Sequence, residues 1–215
     1  MGDIFLVRHG QANSQANDEE SYDRLSPLGH QQAEWLGHWL SEHEAPFDRV
    51  IAGTLRRHRE TATGMGHATP EADARLNEMD YFNLGRALEQ AQGIPFPTPE
   101  SFADHVPQVM RAWHAAEIQG NESFASFEDR VTSVLAEAAT PGTRTLCVTS
   151  GGVIGMMLRR LLGLDPTRLA HILLPIWNTS LHRVTVRPNG EAILSGFNAI
   201  PHLATSERAD ARTHY

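Results

Sequence analysis

A chain of 215 residues, 40% hydrophobic and 20% charged, is long enough for one domain with a full core and has an ordinary globular composition. Its 18 basic and 26 acidic residues give a net charge of −8, which disfavours nucleic acid and anionic membranes as partners because a negative protein repels both. We expect a cytoplasmic protein without an internal disulfide, since membrane-length apolar runs and a signal-peptide pattern are missing and Cys147 is the single cysteine.

Strand and helix patterns alternate along the first third of the chain. Residues 3–7 form a short apolar run, typical of a buried strand, which ends at Gly10 before a polar stretch. Ser26 and Pro27 predict a helix N-terminus, because serine is a frequent N-cap and proline fits the first turn; this helix continues to about residue 43. The elements predicted next are a strand, a helix and a short strand, at residues 47–52, 54–65 and 71–76.

The region of residues 79–122 has a different character, with several prolines and a helix pattern that carries Phe102, Val106 and Trp113. We interpret it as an insertion over the sheet edge, so that residues 1–215 form a single domain.

The alternation resumes after this insertion. A capping pattern at residues 126–129 predicts a helix to residue 139, and Arg144–Thr149 is predicted to be a central strand. Ser150 and two glycines then lead into an apolar helix that ends near residue 162, and residues 181–186 and 192–197 predict a hairpin. Strands that alternate with helices indicate an α/β fold with a largely parallel sheet and an antiparallel edge.

Two of the predicted strands end in polar turns that contain glycine, Arg8-His9-Gly10 and Ser150-Gly151-Gly152. Ligands of open α/β sheets bind beyond the carboxyl ends of the strands, so both turns face one crevice if the strands are neighbours. A third strand delivers Arg56 and Arg57 from the first turn of its helix. Phosphoryl transfer needs an in-line nucleophile, which a neutral imidazole can be, cations around the phosphate oxygens, and a proton for the leaving oxygen.

Five segments extend this pattern over most of the chain. They are Leu6-Val7-Arg8-His9-Gly10, Leu25-Ser26-Pro27-Leu28-Gly29 with Gln32-Ala33, Gly53-Thr54-Leu55-Arg56-Arg57 with Thr61-Ala62, Leu76-Asn77-Glu78, and residues 148–154. In order and spacing they resemble the motifs of the histidine phosphatase superfamily, the phosphoglycerate-mutase-like enzymes. A bare Arg-His-Gly tripeptide would not carry this resemblance.

The resemblance implies a three-layer α/β/α fold with a mostly parallel mixed sheet and a helical insertion as a lid. It implies a phosphomonoester hydrolase in which His9 takes the phosphoryl group and Glu78 is the proton donor, with nearby Asp80 as a competing acid. Arg8 and Arg57 would bind the phosphate, the motif register selecting Arg57 over its neighbour.

Ser150 stands where the family has a second catalytic histidine. A hydroxyl can still donate to a phosphate oxygen, and Gly151 follows at a helix start that favours an anion. We therefore predict that Ser150 and Gly151 bind phosphate, that Ser150 can also cap the helix, and that activity is weak, because one lost transition-state donor costs about 3 kcal/mol. His182, in a late strand, is a candidate substitute for the absent histidine.

Two further departures point away from phosphoglycerate mutase itself. Residues 11–13 replace an acid–hydroxyl pair after His9, and the Gly-x-Trp-Glu-Gly of mutase-type members does not follow Glu78. Two functions besides hydrolysis through His9 stay open: a phospholigand-binding protein of the same fold without efficient chemistry, and a serine hydrolase with Ser150 as nucleophile. The latter lacks the glycine that a nucleophile elbow needs at position 148, where a valine stands.

The remaining histidines match no zinc-binding spacing, so no metal and no cofactor are expected. The expected partner is a phosphorylated small molecule or a phosphoprotein as substrate. Arg86, Arg111 and His114 in the insertion are candidate substrate contacts. A homodimer, through the apolar helix of residues 153–162 or the edge hairpin, stays open.

Overall fold

A six-stranded mixed sheet forms the centre of the fold. The computed structural model describes residues 1–13, 15–16 and 18–214. Within them the strands lie in the order β3-β2-β4-β1-β5-β6. Their bounds are β1 Gly2–Arg8, β2 Arg49–Ala52, β3 Glu71–Ala72, β4 Arg144–Thr149, β5 Leu181–Val186 and β6 Ala192–Ala199.

The two strands that carry the candidate turns are neighbours. β1 pairs with β4 in parallel, with Arg8 opposite Thr149, and with β5 antiparallel. β2 and β3 extend the parallel part, and β6 adds an antiparallel edge. Every residue of β1 is buried, as expected for a strand covered on both faces. The predicted sheet, parallel with an antiparallel edge, is confirmed.

Helices cover both faces of this sheet. They are α1 Glu19–Tyr22, α2 Pro27–His43, α3 Arg56–Gly64, α4 Tyr81–Gln92, α5 Phe102–His114, α6 Phe124–Ala138, α7 Gly151–Leu161 and α8 Leu169–Leu173. Short 3₁₀ helices occupy Ala74–Leu76, Pro166–Arg168, Pro201–Leu203 and Ser206–Ala211. Over the described ranges, no helix has the length and apolar character needed to cross a bilayer.

Successive side chains of the central strands face two different hydrophobic clusters, one on each side of the sheet. Phe5 and Val7 of β1 face the cluster that contains Leu36 of α2, whereas Ile4 and Leu6 face the cluster with Ile154 of α7. The arrangement is the three-layer α/β/α fold that the motifs implied. Cys147 of β4 lies in the second cluster, and its burial raises the pKa of the thiol to about 12.

Several element boundaries differ from the predicted ones. β3 ends after two residues and continues as a 3₁₀ helix rather than as a strand to residue 76. The capping pattern at residues 126–129 was wrong, because α6 begins one turn earlier: the Ser123 hydroxyl accepts from the Ser126 N–H at 3.1 Å. Phe124 and Phe127 are both buried, so this earlier start places two aromatic rings in the core.

The insertion contains α4 as well as the predicted α5. Leu84 and Leu88 of α4 and Val109 and Trp113 of α5 are buried in the same cluster as α7. This packing places the insertion above the carboxyl ends of the parallel strands, where one wall of a cavity is built from α4, α5 and the segment between them.

Candidate active site

The turn after β1 is fastened to its neighbours by backbone groups. The His9 N–H donates to the Thr149 carbonyl at the end of β4 (2.8 Å), and the Gly10 N–H donates to the Thr61 hydroxyl on α3 (3.0 Å). A Cβ on Gly10 would lie 2.4 Å from the Gly29 carbonyl oxygen, so only glycine permits this approach to α2. The turn is therefore a rigid support for the His9 ring.

His9 has the tautomer and charge of a nucleophilic imidazole. Its Nδ1 lies 2.7 Å from the Gly10 carbonyl, which can only accept, so Nδ1 carries the proton and Nε2 carries the free lone pair. Burial lowers the pKa of His9 well below its usual 6.5, and the charges of Arg57 and Arg8 lower it further. The ring lines the cavity and is neutral at pH 7.

Two guanidinium groups line the same cavity. Arg8 donates to the backbone carbonyls of Ile176 and His214, and Arg57, 1% exposed, forms an ion pair with Glu19 at 2.6 Å. Among the described residues, the buried Nε atoms of Arg8 and Arg57 have no hydrogen-bond partner. Buried donors are almost always paired, so two such N–H groups beside one cavity indicate a place for an anion.

The Tyr22 ring lies close to both His9 and Arg57. Its ring centre lies 6.2 Å from that of His9 and 5.0 Å from the Cζ atom of Arg57. Arg56, in contrast, is exposed and pairs with Glu60. The structure therefore brings Arg57, the residue selected by the motif register, to His9.

Glu78 reaches the cavity from the segment after the Ala74–Leu76 turn. Its carboxylate accepts from the Gly152 N–H at 2.8 Å and from the Met79 N–H at 3.1 Å. A Cβ on Gly152 would lie 2.4 Å from Glu78 Oε1, so glycine at the start of α7 makes room for the carboxyl group. Burial raises the pKa of Glu78 from its usual 4.5, although both hydrogen bonds oppose this shift. A raised pKa suits a proton donor.

The competing acid, Asp80, has a structural role. It is the N-cap of α4, where its side chain accepts from the Asn83 N–H at 2.9 Å, and it also accepts from Asn121. The segment between Glu78 and Asp80 thus places one carboxylate in the cavity wall and uses the other to begin the lid helix.

Ser150 lies behind the cavity wall rather than in it. The residue is fully buried, and its hydroxyl is 2.6 Å from Nε2 of His58. Although Ser150 occupies the N-cap position of α7, its side chain caps no backbone N–H, so the expected capping bond was wrong. Gly151, the first residue of α7, does line the cavity. The hydroxyl that we predict to bind phosphate is hydrogen-bonded to His58, and its contact with phosphate stays a prediction.

His182 does not occupy the place of the absent histidine. It is buried in β5, where its Nε2 is 3.0 Å from the Ser180 hydroxyl and its Nδ1 accepts from the Asn198 N–H. The ring that lies beside His9 is that of His58, with 5.7 Å between ring centres. His58 follows Arg57 on α3, and sequence reasoning did not single it out.

The bond between Ser150 and His58 has the form of a nucleophile with a base, but it lacks what a serine hydrolase needs. Both residues are fully buried and neither lines the cavity. Within the described part of the chain, the other nitrogen of His58, Nδ1, has no partner, so no acid orients the ring. A substrate carbonyl could not reach this serine without displacing the cavity wall.

The remaining candidates differ in whether they line the cavity. Arg86 on α4 lines the cavity, whereas Arg111 and His114 are exposed on α5, outside it. Glu19 and Tyr22 line the cavity from α1, a helix that the polar stretch of residues 11–24 gave no reason to expect. Their only sequence signal was an acid and an aromatic residue within that stretch.

An α/β fold that gathers an imidazole, two guanidinium groups and a carboxyl of raised pKa around one cavity defines a phosphoryl-transfer class of protein. A family model of the histidine phosphatase superfamily (branch 1) matches residues 4–198. The chain belongs to this superfamily.

Its relatives are phosphatases. The adenosylcobalamin/alpha-ribazole phosphatase of Salmonella typhi is 31% identical over 176 residues, which cover 78% of this chain and 83% of that protein. A broad-specificity phosphatase of Saccharomyces cerevisiae is 26% identical over 95% of this chain and 88% of its own. The phosphoserine phosphatase of Entamoeba histolytica, solved with phosphoserine, has a TM-score of 0.70 at 20% identity, over 94% of this chain and all of that one. These relatives support an enzyme, and the solved structure supports the fold.

Proposed function

We propose that the protein is a phosphomonoester hydrolase that works through a phosphohistidine on His9. The observation that carries the proposal is the convergence of Arg8, His9, Arg57 and Glu78 on one cavity, with His9 held as the neutral Nδ1–H tautomer. The imidazole is neutral and free to attack, the guanidinium groups are charged, and the raised pKa of Glu78 favours the protonated form that a proton donor needs.

The phosphate is bound by the two guanidinium groups and the start of α7. The unpartnered Nε–H groups of Arg8 and Arg57 donate to its oxygens, and the positive end of the helix at Gly151 favours its charge. A Cβ on Gly151 would lie 3.6 Å from Arg8 Nε, so that N–H group and the helix start face the same space. The incoming phosphate dianion displaces the Glu19 carboxylate from the Arg57 guanidinium group.

The reaction proceeds in two displacements at phosphorus. Nε2 of His9 forms a bond to phosphorus while the bond to the ester oxygen breaks, and Glu78 donates its proton to the leaving alkoxide. Glu78, now a carboxylate, accepts a proton from water as the water oxygen bonds to phosphorus and the bond to His9 breaks. Inorganic phosphate leaves, and His9 is again neutral.

Ser150 supports the site indirectly in this scheme. Its hydroxyl positions His58 beside His9 and leaves the phosphate without the additional donor that a histidine at position 150 would supply. Removing one such donor lowers kcat by about 10²–10³ in an enzyme adapted to it, so slow turnover is expected. A phospholigand-binding protein without turnover is the alternative outcome.

The test is phosphate release from a panel of phosphomonoesters by the wild type and by His9→Ala. We expect His9→Ala to abolish release, and His38→Ala, at an exposed position of α2, to leave it unchanged. Radiolabelled phosphorus should attach to the wild type in an acid-labile, base-stable form and should be missing from His9→Ala. Undiminished release by His9→Ala would refute the mechanism. Tight phosphate or vanadate binding without any release would leave only the binding function.

A further inference from the structure

The cavity at the phosphate site is larger than a phosphate group needs. Its volume is about 580 Å³, within the range of roughly 300–1,000 Å³ that holds drug-sized ligands. The end of the cavity beside His9 is lined by charged groups, those of Arg8, Arg57, Glu19 and Glu78. The rest of the cavity would hold the alcohol part of the phosphomonoester. The lining of that space therefore selects the substrate.

Aromatic rings form a continuous wall from the nucleophile to the cavity mouth. Tyr22 contacts His9 edge to face with 6.2 Å between ring centres, and Phe82 of α4 contacts Tyr22 at the same distance. Phe96 stacks on Phe82, with 5.8 Å between centres and 11° between planes. Phe96 is 36% exposed, so this wall ends where the substrate enters. A flat apolar group attached to the phosphate would lie along these rings.

The part of the cavity lining that α5 contributes is also apolar. Phe102, Val106 and Met110 of α5 face the cavity, together with Leu174 after α8. The Tyr81 hydroxyl in this lining is already 2.7 Å from Nδ1 of His105. Apart from Gln15, Arg86, Thr98 and His214, the lining beyond the phosphate end is mostly apolar, so a polyol in this space would lose more contacts with water than it gains with the protein, which costs binding free energy.

We propose that the preferred substrates are phosphomonoesters whose alcohol carries an aromatic or similarly extended apolar group, rather than small polar ones such as phosphoglycerate or phosphoserine. This inference rests on the proposed phosphatase function. Phosphate contacts are common to all substrates, and selectivity comes from burial of the apolar group against Phe82, Phe96 and the apolar residues of α5.

The test compares two esters with the same kind of leaving oxygen, 3-phenylpropyl phosphate and propyl phosphate, so that only the ring differs. We expect kcat/KM to be at least about tenfold higher for the phenylpropyl ester, since one well-placed apolar group changes discrimination by 10-fold or more. Glycerol 3-phosphate should be no better than propyl phosphate. Phe82→Ser and Phe96→Ser should each bring the phenylpropyl/propyl ratio toward one, because the ring of the larger ester then loses its apolar contacts. Ile193→Ser, at an exposed position of β6, is the matched control and should keep the ratio.

Binding of the corresponding phosphonates, which cannot be hydrolysed, separates this inference from the proposed function. Turnover of the esters with a ratio near one, and equal affinity for the two phosphonates, would overturn the substrate class and leave the phosphatase standing. Preferential binding of the phenylpropyl phosphonate without turnover of any ester would leave the ligand class standing and overturn the phosphatase. A ratio unchanged in both Phe82→Ser and Phe96→Ser would also overturn the inference, because the aromatic wall would then play no part.

Discussion

Exchange of the buried pair His58 and Ser150 tests how the site accommodates the absence of a histidine at position 150. The two side chains are 2.6 Å apart and fully buried, so the space they share holds one imidazole and one hydroxyl but not two imidazoles. Ser150→His alone should therefore destabilise the protein, whereas Ser150→His combined with His58→Ala restores a similar total volume with the ring on the other element.

The magnitudes follow from packing and hydrogen bonding. Overpacking by Ser150→His is expected to lower the free energy of unfolding by about 1–3 kcal/mol, and the double variant should lie within about 1.5 kcal/mol of wild type. Ser150→Ala leaves Nε2 of His58 without its partner, beside an Nδ1 that has none in the described structure. Loss of the bond to this buried ring should cost about 1–3 kcal/mol.

Urea unfolding of the wild type, Ser150→His, His58→Ala and the double variant gives the coupling free energy between positions 58 and 150 directly. We expect the double variant to be more stable than Ser150→His by at least about 1 kcal/mol. If a ring at position 150 also supplies a transition-state donor, kcat of the double variant should rise by up to about 100-fold over wild type. A Ser150→His variant as stable as wild type, or a double variant no more stable than that single one, would refute the reasoning.

Three further predictions follow from the cavity and from α6. Glu19→Gln removes the nearer of the two acids paired with Arg57 and leaves Asp23 at 3.2 Å, so calorimetric titration should show vanadate binding up to about tenfold tighter (~1.4 kcal/mol). No gain over Glu20→Gln, at an exposed neighbouring position, would contradict the competition between Glu19 and the anion. The dependence of kcat/KM on pH should be bell-shaped: it rises as His9 loses its proton, at a pKa below 6.5, and falls as Glu78 loses its own, at a pKa above 4.5. Glu78→Gln should lower kcat/KM by about 10²–10⁴ and remove the falling limb of the profile. Ionisation of the substrate affects the wild type and this variant equally, so a falling limb that persists in the variant would belong to a group other than Glu78. Ser123→Ala should lower the free energy of unfolding by about 1 kcal/mol in urea, and Ser126→Ala should change it little, because Ser123 supplies the capping oxygen; equal effects would restore the cap to the predicted position.

The parts of the fold that local patterns describe were predictable. A strand such as β4, buried and apolar over its length, and a hairpin with Asn189-Gly190 in its turn can be recognised from a few consecutive residues. Arg8 and Gly151 stand at the ends of adjacent parallel strands, so sheet geometry alone brings them together. Register within one motif sufficed to select Arg57.

What escaped prediction depends on contacts between distant segments. His58 and Ser150 are 92 positions apart, and no periodicity in either segment shows that one side chain occupies the space beside the other. Glu19 belongs to a four-residue helix that is held in place by its ion pair with α3 rather than by its own propensity. α4 was missed because its buried face carries only two large apolar residues, Leu84 and Leu88, and Gly85 between them weakens the helical pattern.

The single cysteine makes this molecule convenient for spectroscopic labelling. Cys147 is buried in the central strand β4, and a thiol with a pKa near 12 is almost entirely protonated at neutral pH, so maleimides and similar reagents should not modify the folded wild type. A cysteine in place of Phe96, which is 36% exposed, would then be the one reactive thiol, and a fluorophore placed there would report ligand entry into the cavity without prior replacement of the native cysteine.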